Sequence, residues 1–516
     1  MTTSTRPDPG ERAPSEARTA VRSLAWNYGS AVAGALLQLC YTAFTARVVY
    51  PDAYGAFAAA SAALTIPGYV AGAGLATYLL RIESLTRATV RTAYRVAFAG
   101  GALCCLGSLL LAAPLAQLWG MPEIDPIVRL FGLFFLTQPA SLVASAALQR
   151  LNHARFCAVT ESYAQLLGMA SGGVLLALGW SPYGLVAAQV ITPAVTLAAA
   201  SVRLRRCPLP EGTAVRPRAM LAVSGAFACF GMVQVVGADV VLWAVTRHGG
   251  AHAAGQFSRA VLTVGLPLAL LAQSLRRATM PSMARINAEG RSLAGAVPDV
   301  LTVASAAACV SFGVLAAVGP AVTELLLGPG WGPAAALVPV FALGAPLVLL
   351  CQIGYAVDET HKHLRVLLRV QLLVLGATAA TTALWVLGPD RLALLAVVAS
   401  LAHGVGHAVQ VARWRRLGLC SPRDLAKPYA VHTAVGAALF AAGWAGAGFG
   451  DGAVSRIVCG LLAMLPVLAL CWPLRRQLPL YAVAVTRGLL GDPLRPTGAT
   501  GGAGWRGRAP SRRTAA

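Results

Sequence analysis

A run of polar residues near the start of the chain recurs at helical spacing. Asn27, Ser30, Gly34, Gln38, Tyr41 and Thr45 are separated by 3, 4, 4, 3 and 4 positions, so a helix sets them on one face. Two readings fit such a face: the wall of a polar cavity, or close helix packing through small residues with interhelical hydrogen bonds. The stripe includes amides and a phenol and runs the full length of its segment, which favours the cavity wall. Much later in the chain, Arg259, Thr263, Leu266, Leu270, Ser274 and Arg277 follow a similar period. Arg259 lies about one turn inside an apolar segment, where a charge costs about 3 kcal/mol on insertion scales unless it is paired or hydrated. Asp239, about two turns inside the preceding segment, is the most deeply placed acid; it is either a proton or sodium site or a structural partner for Arg259. Gln234, on that same segment, joins the candidate cavity set. His403 and His407 are four apart, but no Glu or third ligand accompanies them as in HExxH, so they read as a packing or cavity-facing pair. The expectation is no metal and no cofactor.

The elements that must carry these residues follow from composition. The chain has 516 residues, 57% hydrophobic and only 12% charged, with a mean hydropathy of +0.67. Soluble domains carry about 25% charged residues, so this is the composition of a multi-pass membrane protein. The net charge of +22 would suggest a nucleic-acid partner in a soluble protein. In a membrane protein it marks the cytoplasmic loops, and no nucleic-acid partner is expected. The eleven cysteines form no CxxC and no framework spacing, and most sit in apolar runs as small hydrophobes.

Fourteen apolar segments of about 20 residues each, the first at 24–46 and the last at 453–474, are long enough to cross a bilayer as helices. With the N-terminus inside, all but six of the 41 basic residues fall in inner segments, the exceptions being Arg47, Arg129, Arg247, Arg259, Arg391 and Arg456. A miscounted helix would invert that alternation downstream, so fourteen spans with both termini cytoplasmic is the consistent solution. The expected class is all-α, with two pseudo-symmetric six-helix lobes plus two C-terminal helices. The expected divisions are a disordered cytoplasmic tail (1–20), an N-terminal lobe (21–206), a cytoplasmic linker (207–218), a C-terminal lobe (219–416), helices 13 and 14 (425–475) and a disordered basic tail (476–516).

The lobes are suggested by an internal repeat. In "ARVVYPDAYGAF" (46–57) and "TRHGGAHAAGQF" (246–257), Arg47, Ala53, Gly55 and Phe57 match Arg247, Ala253, Gly255 and Phe257 at an offset of 200. Ala60 then pairs with Ala260 and Pro67 with Pro267, each proline about twelve residues into its segment. With an even number of helices per lobe the copies share one topology and are related by an axis along the membrane normal, with a substrate path between them. Pro67 and Pro267 remove a backbone donor and are expected to kink their helices, either as packing kinks or where the freed carbonyl lines a cavity. Arg47 and Arg247 form a basic pair at equivalent outer ends, serving as interface anchors or as a phosphate relay.

"ARVVYPDAYGAFAAAS" resembles the opening of polysaccharide flippases in the multidrug/oligosaccharidyl-lipid/polysaccharide exporter superfamily. "LALGWSPYGLVAAQV" (175–189) resembles that family's fifth-to-sixth helix hairpin, and "GLPLALLAQSLRRATMPSMAR" its eighth helix, so the likeness spans about residues 20–475. The resemblance implies movement of a polyprenyl-pyrophosphate-linked oligosaccharide from the inner to the outer leaflet of the cytoplasmic membrane, for cell-surface polysaccharide biosynthesis. It implies no covalent chemistry. The substrate set it suggests is Asn27, Ser30, Gln38, Tyr41, Thr45, Gln234, Arg259 and Thr263, with Arg259 on the pyrophosphate or snorkelling or paired with Asp239, and Asp239 as the candidate coupling acid. Lipid-linked oligosaccharide, membrane lipids and polysaccharide-assembly enzymes are the implied partners.

Two other classes stay open. A drug/cation antiporter of the same fold would call for an acidic central cavity, whereas Arg259 stands among few acids. A membrane glycosyltransferase, polymerase or ligase needs acids or histidines presented on a sizeable loop. The outer connections are only about 3 to 9 residues long, with scattered acids such as Glu123, Asp125, Asp390 and Asp451 and no paired constellation. Glu161, one turn from the inner surface, reads as an interfacial residue with a bonded neighbour.

Overall fold

The computed structural model describes residues 34–213, 215–360, 364–388, 392–473 and Pro479. Helices fill these stretches, and no strand occurs among the described residues. Helix α1 covers 34–48. Helix α2 (Pro51–Gly68) starts with Pro51, whose missing N–H is one of the helix's unpaired donors anyway, and carries Asp52 in its positive first turn. It passes through one π-helical turn, Tyr69–Ala73, into α3 (Gly74–Arg81). Helix α4 (Arg87–Trp119) begins at Thr86, whose hydroxyl accepts from the Thr89 N–H. Helices α5 (Ile124–Arg150), α6 (Ala154–Ala177) and α7 (Tyr183–Arg205) follow. The long α8 (Pro217–Ala288) is broken at Gly250, whose φ of 72° and ψ of −172° suit only glycine, and so consists of two arms. Then come α9 (Ala296–Leu327), α10 (Gly332–Thr360), α11 (Leu364–Leu387), α12 (Leu392–Arg416), α13 (Pro422–Ala447) and α14 (Ala453–Cys471).

Ten of the described helices are long and apolar enough to cross a membrane. The other four expected spans fall on α1, whose start lies outside the described residues, on the interrupted α2–α3 segment, on α6 and on one arm of α8. The exterior is apolar: Leu103 and Leu110 on α4 and Leu462 and Leu465 on α14 are more than half exposed. Such a surface suits acyl chains rather than water, and the protein is a multi-pass membrane protein.

Within the bundle α4 packs on α5, α5 and α6 on α7, α9 on α10, α10 on α12 and on α8, and α13 on both α9 and α14. A broad seam joins α2 to α8. There Gly55 and Gly255 bring two helix backbones together: a Cβ on Gly55 would lie 1.8 Å from the Ala251 carbonyl oxygen, and one on Gly255 2.0 Å from that of Pro51. Asp52 pairs with His252 at 3.6 Å on the same seam. Positions 52 and 55 thus meet their own counterparts at an offset of 200. Three further contacts close this end. Arg47 Nη2 donates to the Leu325 carbonyl at 2.9 Å, Trp331 Nε1 to that of Ala46 at 3.0 Å, and Gln256 Nε2 to that of Gly330 at 2.9 Å. At the opposite end Glu359 of α10 takes Arg276 at 3.3 Å and Arg81 of α3 at 3.8 Å.

The off-trend arginines separate by environment. Arg129 is bidentate on Asp125 at 2.8 and 2.9 Å, Arg456 pairs with Glu324, and Arg47 is held by the Leu325 carbonyl. Arg47 and Arg247 are both exposed, but Arg47 is bonded across the bundle whereas Arg247 makes no hydrogen bond or ion pair among the described residues. Arg391 lies outside the described residues. Arg259 differs from all of these.

Candidate functional site

Helices α1, α2, α6, α7 and the second arm of α8 enclose a cavity of about 410 Å³. From α1 it receives Gln38, Tyr41 and Thr45, three members of the polar stripe read from sequence, together with Thr42. Asn27 and Ser30 lie outside the described residues, as does the side chain of Gln234. Helix α2 contributes Tyr54 and Phe57, α6 contributes Glu161, Gln165 and Met169, α7 contributes Gln189 and Thr192, and α8 contributes Arg259 and Leu262.

The cavity's hydrogen bonds do not reach its cation, Arg259. Tyr54 donates its hydroxyl to Thr45 Oγ1, and Thr45 donates in turn to the Tyr41 carbonyl at 2.8 Å. Gln165 Nε2 reaches Gln38 Oε1 at 3.5 Å, the long limit of a hydrogen bond. The Arg259 guanidinium lies over the Tyr54 ring, 4.1 Å from its centroid, a cation–π contact of about 1–2 kcal/mol when desolvated. Arg259 Nε and Tyr41 Oη are both buried without a hydrogen-bond partner among the described residues. No ion pair of Arg259 occurs among the described residues, so it is a cation at membrane depth whose field is open to an anion.

Asp239 is not its partner. The carboxylate lies near Thr65 and Tyr69, and its Oδ2 is buried with no partner among the described residues. The expected Arg259–Asp239 pair therefore does not form, because the two groups sit on different arms of α8 and face different neighbours. Thr65 and Tyr69 line a second cavity of about 380 Å³ beside Phe131, Phe134 and Gln138, and Gln189 borders both cavities.

Thr263 is also outside the cavity: its hydroxyl donates to the Arg259 carbonyl at 2.9 Å, and the neighbouring Leu262 takes the lining position. Pro67 and Pro267 differ. The π turn begins two residues after Pro67, whose carbonyl meets Cys104 Sγ at 3.4 Å, whereas backbone angles stay helical around Pro267. His403 donates Nδ1–H to the Ala399 carbonyl at 2.9 Å, and His407 Nε2 lies 3.0 Å from Tyr429 Oη. No group of three potential metal ligands occurs among the described residues.

Sequence reasoning missed Tyr54, Gln165, Gln189 and Thr192, and placed Glu161 at the interface. Glu161 lies near Ser145 and lines the cavity. The missed signal on α6 was the same helical spacing as on α1, since Glu161, Gln165 and Met169 are four apart.

Residues 44–336 match the family model described as "Polysaccharide biosynthesis protein". The succinoglycan biosynthesis transport protein ExoT of Rhizobium meliloti (strain 1021) is 25% identical over 342 residues, 65% of this chain and 68% of that protein. Among solved structures, the lipid II flippase MurJ in an inward closed conformation matches with a TM-score of 0.67 at 12% identity, over 86% of this chain and 98% of that one. An inward-facing multidrug resistance MATE family transporter of the MOP superfamily matches with a TM-score of 0.53 at 14% identity, over 75% of this chain and 94% of that one. At such identities the two structures speak for a common fold.

Proposed function

The chain belongs to the polysaccharide biosynthesis protein family, and on that premise we propose that it flips a polyprenyl-pyrophosphate-linked oligosaccharide across the cytoplasmic membrane by alternating access. The observation that carries this reading is Arg259, without an ion pair among the described residues, in a cavity whose polar wall is amides and hydroxyls with one acid, Glu161. A pyrophosphate needs a cation and donors when it leaves water. Arg259 and Tyr41 supply both on one side, and Gln38, Gln165, Gln189 and Thr192 can exchange hydrogen bonds with sugar hydroxyls. The prenyl tail needs only hydrocarbon and stays in the bilayer.

The two lobes, residues 21–206 and 219–416, rock about the cavity, with both termini cytoplasmic. In that orientation the Gly55–Gly255 seam closes the outer side and Glu359, held by Arg81 and Arg276, spans the inner side. Each half-cycle parts one of these contacts. The outer seam combines close backbone packing with the Asp52–His252 pair and three hydrogen bonds, and the inner contact is a half-exposed ion cluster worth about 0.2–1 kcal/mol per pair. Inward opening is therefore the easier movement.

The test is deletion in a strain without a redundant flippase, followed by leaflet-resolved measurement of lipid-linked oligosaccharide. Inner-leaflet accumulation is expected, cleared by the wild-type chain, partly by Arg259→Lys and not by Arg259→Gln. Unchanged leaflet distribution on deletion would overturn the reading. Glu161 on the cavity wall favours a second reading, a drug/cation antiporter of the same fold. Drug sensitivity on deletion with normal surface glycans would select it.

A further inference from the structure

At the end of the bundle opposite the Gly55–Gly255 seam, a second basic feature stands apart from the central cavity. Helices α4 and α7 pack on α5 but scarcely touch each other, and the cleft between them holds about 670 Å³. Arg87 and Arg91 line its mouth from α4, and Arg205 from α7. Deeper in, at successive helical turns, the lining changes to Tyr94 and Phe98 on one wall and Ser201 and Leu197 on the other. Tyr94 Oη lies 3.3 Å from Ser201 Oγ, and the Tyr94 and Phe98 rings stack at 6.1 Å. The cleft is thus cationic at its mouth and apolar at its depth.

Its charge is only partly met. Arg87 has an exposed partner in Glu211 at 3.8 Å, whereas Arg91 and Arg205 make no ion pair among the described residues. The N-terminus of α4 points its partial positive charge at the same mouth.

The other half of the bundle shows what such a cleft takes. Counting spans, α4 and α7 are the third and sixth, and their counterparts in the second set are α9 and α12. Those two do not pack on each other either, but α13 fills the space. It lies on α9 so closely that a Cβ on Gly313 would come within 2.5 Å of the Gly436 carbonyl oxygen. Ser305 Oγ and His432 Nδ1 are 2.8 Å apart across that contact, and Tyr429 of α13 reaches His407 of α12. No helix of the described chain does this for α4 and α7.

We propose that the α4–α7 cleft is a binding site for an anionic phospholipid of the adjoining leaflet. Its phosphate sits between Arg91 and Arg205, and one acyl chain lies along Phe98 and Leu197. Arginines at the mouth offer forked donors to the phosphate oxygens, and basic pockets between membrane helices suit lipid headgroups for this reason. The lipid occupies the place that α13 takes in the second half.

The experiment is native mass spectrometry of the full chain in detergent, titrated with phosphatidylglycerol or with phosphatidylcholine of the same acyl chains. One tightly held phosphatidylglycerol is expected, with phosphatidylcholine weaker. Because each charged hydrogen bond matters by a kilocalorie or more, Arg91→Ala with Arg205→Ala should weaken phosphatidylglycerol by about tenfold or more. Both arginines are exposed, so folding should survive, and a lipid-induced rise in Tm that the wild type shows and the double variant lacks checks this directly. Arg285→Ala with Arg423→Ala, equal in charge and remote from the cleft, should bind as the wild type does. Undiminished phosphatidylglycerol in the cleft variant, or equal binding of phosphatidylcholine, would overturn the proposal. Displacement of the phosphatidylglycerol by a polyprenyl pyrophosphate at equal concentration would also overturn it, reassigning the cleft to the substrate.

Discussion

Substituting Gly55 by Ala should shift the protein out of the conformation seen here. The added Cβ would lie 1.8 Å from the Ala251 carbonyl oxygen, with the Ala251 carbonyl carbon and Cα behind it at 2.6 and 2.9 Å. Every opposing atom is backbone, so no side chain can rotate away. Ordinary contact requires the helices to separate by about 1.5 Å at this point. Overpacking by a single methylene costs about 1–3 kcal/mol, and this overlap belongs at the upper end. Alanine also favours helix over glycine by about 1 kcal/mol, but α2 is helical whether the seam is closed or open, so that gain cancels from the conformational equilibrium. A differential of about 3 kcal/mol moves the ratio of closed to open seam by about a hundredfold. The assay is double electron–electron resonance between spin labels at Tyr50 and Arg247, exposed positions flanking the seam, in a cysteine-free background. A new population at longer distance is expected for Gly55→Ala. Gly107→Ala on α4, where a Cβ meets nothing within 4 Å, should leave the distribution unchanged. Identical distributions for wild type and Gly55→Ala, with the variant folded, would refute the claim that this contact governs closure.

Asp239→Asn should abolish or flatten the dependence of transport on pH or sodium if the carboxylate is a coupling site; transport assayed across both gradients with no change in rate or dependence removes that role. Asp358 is 1% exposed and accepts from Arg413 Nη1 at 2.7 Å and Trp414 Nε1 at 2.8 Å, tying α10 to α12. Asp358→Ala leaves a half-buried arginine without its counter-ion and should cost about 3–5 kcal/mol, read as a fall in Tm and in folded yield.

Much of the fold was legible because a bilayer imposes a coarse rule on sequence. Each span must satisfy its own backbone and show an apolar exterior, and both demands leave long, countable runs. The polar stripe from Gln38 to Thr45 was legible for a related reason: in an otherwise apolar helix, polar residues at helical spacing mark a face. Arg259 stood out as a cation at depth. Its surroundings did not, because Tyr54 and Phe57 look like ordinary core aromatics until α8 is laid across α2. Its separation from Asp239 was equally hidden, since sequence distance along α8 says nothing of the break at Gly250 that gives the two arms different neighbours. The meaning of the repeat was half visible. Gly55 and Gly255 could be matched in sequence, but only the packed structure makes them touch.

The π turn after Pro67 has a geometric consequence of its own. One π turn admits an extra residue into the helical register, which advances everything downstream by about 100° of phase. The residues before it, Ser61 and Thr65, and those after it, Leu75 and Leu79, therefore answer to different faces of one continuous segment. Helical angles persist around Pro267, so the second copy has no such dislocation. Two halves that share a topology thus differ in torsional phase. A motion that winds one residue through the dislocation is available to α2–α3 and denied to its counterpart, so the alternating-access cycle proposed above need not treat its two halves as mirror steps.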